Sequence, residues 1–300
     1  MNFPFLIYPI LATLISGEGQ FLNRDTVWQY NNKQQQYFLE NYFQKKSELK
    51  KFNKNELKSW ASQDYLSLNK IAKENGFSNE FKQLAKNEVG MLSICEFEQT
   101  WIQKESKEYL LCDEKYYEAI KIDSNFEILK SDFHRHLFVK IITGSGDKVY
   151  LTFAEKKPNN NDFDFLKNIE YLSKLKKEKY IKKDYDCLLI PKIDFNKEFN
   201  INWINGISAN GFTVKQYLQK VKLKFDIIHK REIFNEMSKL VNKLNPFESS
   251  AGNEFRFDAP FYLWIERNGC SSPIFAAYID ETNWVAYKSF LDIVNEKIDL

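Results

Sequence analysis

The chain has only three histidines, and two of them, His134 and His136, stand two residues apart close to Asp132. Side chains two apart in a strand point to the same face, so two imidazoles and one carboxylate could together hold a divalent metal ion. Two nitrogens and one neighbouring carboxylate are a weak ligand set, and Arg135 between the histidines would repel a cation. We therefore expect neither a metal site nor any other cofactor here.

Nucleophilic and phosphate chemistry also lack their usual sequence signals. A Ser-His-Asp hydrolase would need a histidine beside an exposed serine, but the chain has no G-x-S-x-G elbow. Gly144-Ser145-Gly146 lies between two apolar runs, whereas glycines that bind phosphate normally open a helix, so we interpret this segment as a hairpin turn. The sequence predicts that the chain is not an enzyme. The alternative is an unrelated α+β enzyme that uses His134 or His136.

Four cysteines are spread over the chain at Cys95, Cys112, Cys187 and Cys270. None of them forms a C-x-x-C pair, which argues against a zinc ribbon and against a thioredoxin-like redox site. Because unpaired cysteines are usually buried, we expect four reduced thiols inside the protein.

The charges of the chain nearly cancel, with 43 Lys and Arg against 41 Asp and Glu. This balance gives no overall attraction to nucleic acid or to an acidic membrane surface. A basic cluster within 174–183 could make weak contact with a polyanion, although such runs are usually solvated helix ends and turns. Its members are Lys174, Lys176, Lys177, Lys179, Lys182 and Lys183.

The chain can bury a large core, since 43% of its residues are hydrophobic and 16% are aromatic. No apolar run reaches the roughly 18 residues that a membrane span needs. The first 16 residues are apolar, but Pro4 and Pro9 interrupt them and no basic residue precedes them. We therefore predict a buried helix that begins at Pro9 and ends near Gly17 and Gly19. This favours a cytoplasmic protein, with secretion or a periplasmic location as the alternative if residues 1–16 act as a signal.

The spacing of apolar residues places helices first and strands later along the chain. Residues 1–90 are mostly helical in pattern, whereas 91–280 predict a sheet-rich core. No repeat and no clear boundary divides the chain, so we expect one α+β domain over 1–300.

Within the core, the pattern predicts strands at 91–97, 187–195 and 221–225, a hairpin inside 128–156, and two strands in the last third. A helix is predicted over 162–176, and its shared apolar face consists of Phe165, Ile169, Leu172 and Leu175. A further helix is predicted over 282–300, and its apolar residues are Trp284, Tyr287, Leu291 and Val294.

Three segments in the middle of the chain carry recognisable residues. EVGMLSICEFEQTWIQ at 88–103 is strand-like and contains a Phe-x-x-x-Trp pair, Phe97 and Trp101. LFVKIITGSGDKVYLTF at 137–153 is a strand–turn–strand segment with a Gly-Asp turn. The helix at 162–176 is then followed by DYDCLLIPKIDFNKEFNI, which contains Pro191 and Lys192.

Two later segments complete the series. TVKQYLQKVKLKFD at 213–226 forms a long alternating strand, and NEFRFDAPFYLWIERNGCSSPIFAAYID at 253–280 forms a hairpin. The hairpin opens on an Asp-x-Pro-Phe motif, with Phe257, Asp258, Pro260 and Phe261. The five segments, in this order, resemble the serpin family, and the last of them carries the strongest match.

The resemblance implies a serpin-like α+β fold, in which N-terminal helices pack on a large mixed central sheet with further smaller sheets. Ile190 and Ile193 replace the Leu and Phe of the family's Leu-Pro-Lys-Phe motif around Pro191 and Lys192. The N-terminal third departs further from the family. The first helix of the fold is missing from the pattern, and the segment ending at Lys58-Ser59-Trp60-Ala61 is only loosely similar to a serpin helix.

In serpin inhibitors, the loop after the 213–226 segment is cleaved by a protease and then inserts into the main sheet as a new strand. Insertion requires a hinge of small residues, because alternate side chains must enter the interior of a preformed sheet. The corresponding stretch here, 227–236, contains no Ala, Gly, Ser or Thr. Each unpaired charge forced into a closed core would cost several kcal/mol. The resemblance therefore implies a serpin scaffold without the inhibitory mechanism.

The same region has the spacing of an amphipathic helix that ends at Asn245-Pro246. At this stage the helix could pack on its own domain or dock on a partner. We assign partner binding to this reactive-loop region, and the residues assigned to it are His229, Lys230, Arg231, Ile233, Phe234, Met237, Leu240, Val241 and Leu244.

The sequence as a whole predicts a non-inhibitory serpin-like protein that acts by binding a protein partner, which could itself be a protease. An inhibitor of serine or cysteine proteases is the first alternative. An unrelated α+β enzyme is the second.

Overall fold

The computed structural model describes residues 6–21, 27–103, 108–158, 162–175, 185–229 and 253–287. Its α-helices are α1 (Ile7–Phe21), α2 (Lys33–Asn41), α3 (Tyr65–Glu74) and α4 (Asp162–Leu175). Short 3-10 helices cover Phe43–Lys51, Asn202–Ile204 and Glu281–Asn283. The strands are β1 (Leu57–Ser62), β2 (Glu88–Gln103), β3 (Glu108–Cys112), β4 (Lys115–Ile122), β5 (Phe126–Leu129), β6 (Phe138–Ile142), β7 (Lys148–Phe153), β8 (Cys187–Pro191), β9 (Asp194–Asn200), β10 (Ser208–Ala209), β11 (Phe212–His229), β12 (Glu254–Arg256), β13 (Phe261–Glu266) and β14 (Phe275–Ile279).

Polar residues fix the starts of two of the helices. The Asn32 side chain accepts a hydrogen bond from the Gln35 N–H and caps α2, and Asp64 accepts one from the Leu66 N–H and caps α3. Helix α1 instead depends on burial, because its side chains from Ile7 to Leu14 lie in the core. The prediction of a buried N-terminal helix is confirmed, although the helix begins before Pro9 and continues past Gly19.

The main sheet has the order β1–β2–β11, and the far edge of β11 pairs with β10 near its start and with β9 further along. The β2–β11 pair is parallel and the other pairs are antiparallel. Asn210 and Gly211, both with positive φ, form the tight turn between β10 and β11. The sheet is therefore mixed, as the resemblance implies.

Two smaller sheets accompany the main sheet. One has the order β12–β8–β4–β3, and the other has the order β14–β13–β7–β6–β5. The β6–β7 hairpin turns through Gly146, whose φ of 84° favours glycine, so the predicted hairpin is confirmed and Gly144-Ser145-Gly146 is its turn. Strands β13 and β14 confirm the two strands expected in the last third.

The core lies between the main sheet and the sheet that contains β14. The Phe275 ring of β14 meets Phe97 of β2 at 6.0 Å between centroids and Phe195 of β9 at 5.9 Å, both edge to face. Helix α4 packs on the sheet that contains β13 and β14, where Phe165 contacts Tyr262 of β13. The predicted apolar face of α4 is confirmed, since Phe165, Ile169, Leu172 and Leu175 are all buried.

Three segments differ from the sequence predictions. Residues 57–62, compared above with a helix, form strand β1, because they pair antiparallel with β2 from Leu57 to Ser62. The single strand predicted over 187–195 is two strands, β8 and β9, which belong to different sheets. The helix predicted from 282 does not begin there: after Glu281–Asn283 the chain is extended, with Trp284 bridged to Ile193 and Ala286 to Tyr117. Leu291 and Val294 lie outside the described residues.

Among the described helices, none is long and apolar enough to cross a membrane.

A half-buried arginine connects the sheet that contains β13 to the segment just before β1, the edge strand of the main sheet. Arg267, which follows β13, donates two hydrogen bonds to Asp147 at 2.9 and 2.7 Å. It donates two more to Glu56 at 3.0 and 2.7 Å, and its guanidinium lies over the Phe52 ring. Only 13% of the Arg267 side chain is exposed. A fork of this kind contributes more to stability than an exposed pair, because removing Arg267 leaves the buried Asp147 carboxylate and the half-buried Glu56 carboxylate without their counter-charge.

We expect Arg267→Met to lower the free energy of unfolding by about 3–5 kcal/mol, since it leaves two carboxylates without their counter-charge. The matched control is Arg256→Met, because Arg256 also bonds a carboxylate, that of Glu254, but its side chain is 46% exposed. The control should cost less than about 1 kcal/mol. Urea unfolding followed by fluorescence measures both, and equal losses would contradict the assignment of Arg267 as the connection.

Candidate functional site

The strand that leads into the reactive-loop region is β11, and it is fully paired along one edge. All 16 residues of β2 face β11 in a parallel register that runs from Glu88–Thr213 to Gln103–His229, with one bulge between Val214 and Gln216. No strand separates β2 from β11. The main sheet is therefore closed at the place where an inserted strand would have to enter.

The interior face of this ladder is filled with side chains that are almost completely buried. On β2 these are Met91, Ser93, Cys95 and Phe97, and on β11 they are Tyr217, Gln219, Val221 and Leu223. The Tyr217 hydroxyl and the Ser93 hydroxyl form a buried hydrogen bond of 2.6 Å across the two strands. Burial raises the pKa of the Tyr217 phenol, so the hydroxyl remains protonated in its pair with Ser93.

The outer face of the ladder is covered by α3 and the loop that follows it. Leu68 and Ala72 of α3 pack with Phe81 on Leu92 and Leu218, one residue from each strand of the ladder. Gly90 lies beneath them, and a Cβ at this position would come within 2.6 Å of Leu68 and 2.9 Å of Phe81. The cover therefore lies directly on the backbone of β2.

An ion pair between a buried lysine and a half-buried glutamate holds the loop after α3 against the sheet. Glu198 of β9 and Lys220 of β11 are neighbours across the ladder, with 3.7 Å between carboxylate and ammonium. The Glu198 carboxylate accepts hydrogen bonds from the N–H and hydroxyl of Ser78 and from the Asn79 side chain, at 2.9–3.0 Å. Lys220 donates to the Gly76 carbonyl at 2.6 Å. We call this set the outer clamp.

The loop reaches the clamp because of how α3 ends. Asn75 follows the helix, and Gly76 has a φ of 69°, the left-handed conformation that terminates many helices. The turned backbone directs carbonyls at Lys220 and amide groups at Glu198. Burial opposes ionisation of Glu198, but the hydrogen bonds from Ser78 and Asn79 outweigh it and lower the pKa of the carboxyl below its ordinary value of 4.5.

At one end of the sheet, the C-terminal segment joins the main sheet to β4. Three backbone hydrogen bonds form a cycle: Glu118 N–H to the Val285 carbonyl at 2.9 Å, Val285 N–H to Lys192 at 2.9 Å, and Lys192 N–H to Glu118 at 2.8 Å. Trp284 is buried beside them, perpendicular to the Tyr117 ring at 5.1 Å. Lys192, predicted as a signature residue, thus lies at this junction, and buried Pro191 ends β8 just before it.

The remaining signature residues occupy two places. Phe97 is buried on β2, and the backbone of Trp101 is paired with Ile227 in the β2–β11 register. Phe257 and Phe261 are fully buried with their rings 5.1 Å apart, whereas Asp258 between them is exposed. The Pro260 carbonyl accepts a hydrogen bond from the Ala154 N–H and fixes the start of β13 beside β7.

The reactive-loop region begins later than the sequence predicted. Ile227, Ile228 and His229, interpreted above as the start of the hinge, belong to β11 and pair with 101–103 of β2. The next residue is Lys230. The other residues assigned to partner binding lie outside the described residues, as does the helix predicted there, and these are Lys230, Arg231, Ile233, Phe234, Met237, Leu240, Val241 and Leu244.

The other candidate chemistry is not assembled into a site in the described part of the chain. His134 and His136 lie in a turn with ring centroids 5.8 Å apart, and His134 bonds Thr152 at 3.1 Å. No cluster of three or more metal-ligating side chains occurs among the described residues.

Cys95 and Cys187 are buried, whereas Cys112 and Cys270 are half-buried, so the expectation of four buried thiols is wrong for two of them. The polyanion contact at Lys174–Lys183 stays a prediction, since 176–184 lie outside the described residues.

One pair of polar side chains, a lysine beside a serine, has the composition of a catalytic pair and was not predicted from the sequence. Lys45 donates a hydrogen bond of 2.6 Å to the Ser272 hydroxyl, and burial lowers the pKa of the Lys45 ammonium. A serine beside such a lysine can act as a nucleophile. Here Ser272 is only 4% exposed, and its backbone is hydrogen-bonded to the Tyr8 hydroxyl. The geometry is that of a structural contact of the β13–β14 connection with the 3-10 helix Phe43–Lys51 and with α1. The local sequence pattern does not predict this contact, because Lys45 and Ser272 lie 227 positions apart.

We expect Glu198→Gln to lower the free energy of unfolding at neutral pH by about 2 kcal/mol, since charge-assisted hydrogen bonds are lost. The pKa of Glu198 is lowered in the folded chain, so its contribution is complete above pH 4.5 and is lost as the pH falls below it. The difference between wild type and variant should therefore shrink with acidification.

The matched control for this variant is Glu96→Gln, on the same outer face, whose carboxylate bonds Lys222 at 2.6 Å but is 38% exposed. It should change stability by less than about 1 kcal/mol. Urea unfolding at a series of pH values measures both variants. A constant difference for Glu198→Gln down to strongly acid pH would show that its charge does not hold the loop.

No protein-family model matches the chain, and no curated protein matches it. Solved structures do match. They include the SRPN18 protein of Anopheles gambiae (TM-score 0.57, 9% identity, 97% of this chain and 93% of that one) and a tumour suppressing serpin (TM-score 0.54, 13% identity, 93% and 92%). A third is the mouse protein-Z dependent protease inhibitor (TM-score 0.50, 13% identity, 93% and 90%).

These likenesses cover 93–97% of this chain and 90–93% of each matched chain. At 9–13% identity they establish the fold. The resemblance seen in the sequence is thereby confirmed, and the chain has the serpin fold.

Proposed function

We propose that this chain is a non-inhibitory protein of serpin fold that acts by binding a protein partner, with the segment between β11 and β12 as its contact region. The observation that carries the proposal is the junction at the end of β11. The ladder with β2 continues to His229, and the next residues are Lys230, Arg231 and Glu232.

An inserting loop would bring these three charged residues first between β2 and β11. Alternate residues of an inserted strand face the interior, so at least one of the three would enter it. The interior face of the ladder is already filled by large buried side chains such as Phe97 and Tyr217. An unpaired charge placed there costs several kcal/mol, which opposes insertion at its first step.

The outer face opposes insertion as well. Separating β2 from β11 would break a parallel ladder along all 16 residues of β2 and would disturb the cover of Leu68 and Phe81. The outer clamp also ties β9 and β11 to the loop after α3. A scaffold of this kind supports use of the segment after β11 as a fixed or adaptable contact surface. The apolar stripe predicted there would supply the anchor residues for a protein partner.

Limited proteolysis followed by a thermal melt tests the proposal. A glutamate-specific protease can cut at Glu248, near the far end of the segment, so that Lys230 and the residues after it stay joined to β11; the product nicked at this bond is purified under native conditions. We expect its melting temperature to equal or fall below that of the intact chain, because no new strand enters the sheet. A sharp rise in melting temperature on nicking would mean that the loop inserts, and the proposal would be wrong.

A hinge variant separates the two barriers to insertion. Lys230→Ala, Arg231→Ala and Glu232→Ala together give small uncharged residues at the start of the segment, and the chain is then cut further along with a glutamate-specific protease. A melting rise confined to the nicked variant would identify hinge charge as the block and support the proposal. A rise in neither protein would place the block in the ladder and the outer clamp.

A protease inhibitor is the second candidate function. It is favoured by the fold-level likeness to the mouse protein-Z dependent protease inhibitor, which covers 93% of this chain. Incubation with a panel of serine and cysteine proteases, followed by denaturing electrophoresis, tests it. A covalent complex that survives denaturation would establish this function in place of the first.

An enzymatic role is disfavoured by the burial of Ser272, whose hydroxyl a substrate would have to reach.

A further inference from the structure

A largely buried imidazole joins the turn before β6 to β7. The His134 side chain is 7% exposed, and its Nε2 lies 3.1 Å from the Thr152 hydroxyl of β7. Its ring packs on Phe138 of β6 at 4.9 Å between centroids. The His134 N–H also donates to the carbonyl of buried Ser131 at 3.4 Å, which closes the turn. The chain from Ser131 to His136 is called the histidine turn below.

The hydrogen bonds of Thr152 fix the position of the proton on the His134 ring. Thr152 has one hydroxyl proton, and it donates this proton to the Leu137 carbonyl at 3.0 Å. Both bonds of Thr152 can form together only if its oxygen accepts from His134, so Nε2 carries the ring proton. Nδ1 is then bare, and it lies 3.9 Å from a carboxylate oxygen of Glu155. A second proton would have to be added at Nδ1.

The strands packed against His134 offer its charged form little compensation. Phe138 and Thr152, which face the ring from β6 and β7, carry no charge. Glu155 follows β7, and its side chain is 54% exposed, so water screens its attraction for a proton at Nδ1. The neutral ring is therefore the form that fits this position.

The turn itself adds an unfavourable neighbour. The His136 ring lies 5.8 Å from the His134 ring, edge to face, and two charged imidazoles at this distance repel each other. Asp132 and Arg135, the other charged residues of the turn, are exposed and opposite in sign. Burial, together with His136, outweighs the attraction of Glu155, so the pKa of His134 is lowered below its ordinary value of 6.5.

We propose that the histidine turn is a pH-operated latch, which is fastened to β7 while His134 is neutral and opens when the ring takes a second proton. In the open turn the charged imidazole lies in water, so acid favours opening. The pKa of His134 is lower in the fastened turn than in water, so the fastened turn has its full stability above pH 6.5. It loses this stability as the pH falls below 6.5.

Opening of the latch would change the aromatic cluster beside it. The His136 ring lies 5.9 Å from the Phe153 ring, and Phe153 packs on Phe257 at 4.8 Å and on Phe255 of β12 at 6.1 Å. A turn that leaves β7 carries His136 away from this cluster and exposes apolar surface of Phe153. The latch thus converts acidification into an apolar surface near β12. It does not rest on partner binding by the segment between β11 and β12.

Magnetic resonance of the imidazoles tests the protonation of the latch on the full chain, which has only three histidines. We expect the ring nitrogen shifts at about pH 7.5 to show the Nε2–H form of His134, and its titration midpoint to lie below the ordinary value of 6.5. A ring that carries its proton on Nδ1, or one that titrates at or above 6.5, would overturn the proposal.

Hydrogen exchange followed by mass spectrometry measures the opening of residues 131–138. The variant is His134→Gln, because the glutamine amide can still donate to Thr152 but does not titrate. The control is His229→Gln, which removes a histidine from β11 in the main sheet. Each exchange rate is divided by the rate of an unstructured amide at the same pH, so that only the change in opening remains.

We expect opening in the wild type and the control to rise at least about fivefold from about pH 7.5 to about pH 5, which corresponds to about 1 kcal/mol. In His134→Gln the opening should not change with pH, and in acid this variant should bind less of an apolar dye than the wild type does. An equal acid response in all three proteins would contradict the latch, as would a wild type whose opening is the same at both pH values.

Discussion

The parallel pairing of β2 with β11 is the interaction on which the rest of the structure depends. Each smaller sheet is connected through it: β14 packs beneath β2 and β9, and β4 is joined to the start of β9 through Lys192 and Val285. Parallel neighbours need long connections, and here the chain between β2 and β11 supplies three strands of each smaller sheet, β3, β4 and β8 in one and β5, β6 and β7 in the other, before it returns. The ladder is thus a contact between residues more than a hundred positions apart, and it closes the fold.

The two faces of the ladder are stabilised differently. The outer face combines apolar cover from α3 with the charged pair Glu198–Lys220, and the members of that pair are satisfied by backbone groups of the loop that follows α3. On the inner face, in the described part of the chain, the Gln219 side-chain nitrogen has no hydrogen-bond partner. A buried polar atom of this kind costs about 1–3 kcal/mol.

The elements predicted from the sequence are those with a strong local signal. Val221, Leu223 and Phe225 alternate with lysines and identified β11, and the apolar face of α4 followed from its spacing. Strand β1 has no such alternation and becomes a strand only because β2 offers it a partner. The apolar run at 187–195 hides a change of sheet, which occurs where the Lys192 N–H bonds Glu118. Pairings between residues that are distant in the chain cannot be predicted from the local spacing of apolar residues.

The contrast between a preserved fold and an altered hinge has a physical basis. A sheet ladder is made of backbone hydrogen bonds, and a core needs only apolar side chains of suitable volume, so both tolerate extensive substitution. That tolerance explains how the fold persists at 9–13% identity to the matched structures. Insertion of a strand into a closed sheet is far less tolerant, because every second side chain must fit one preformed space. Under the proposed function, the three charged residues directly after His229 would oppose insertion of the loop while the β2–β11 ladder stays intact.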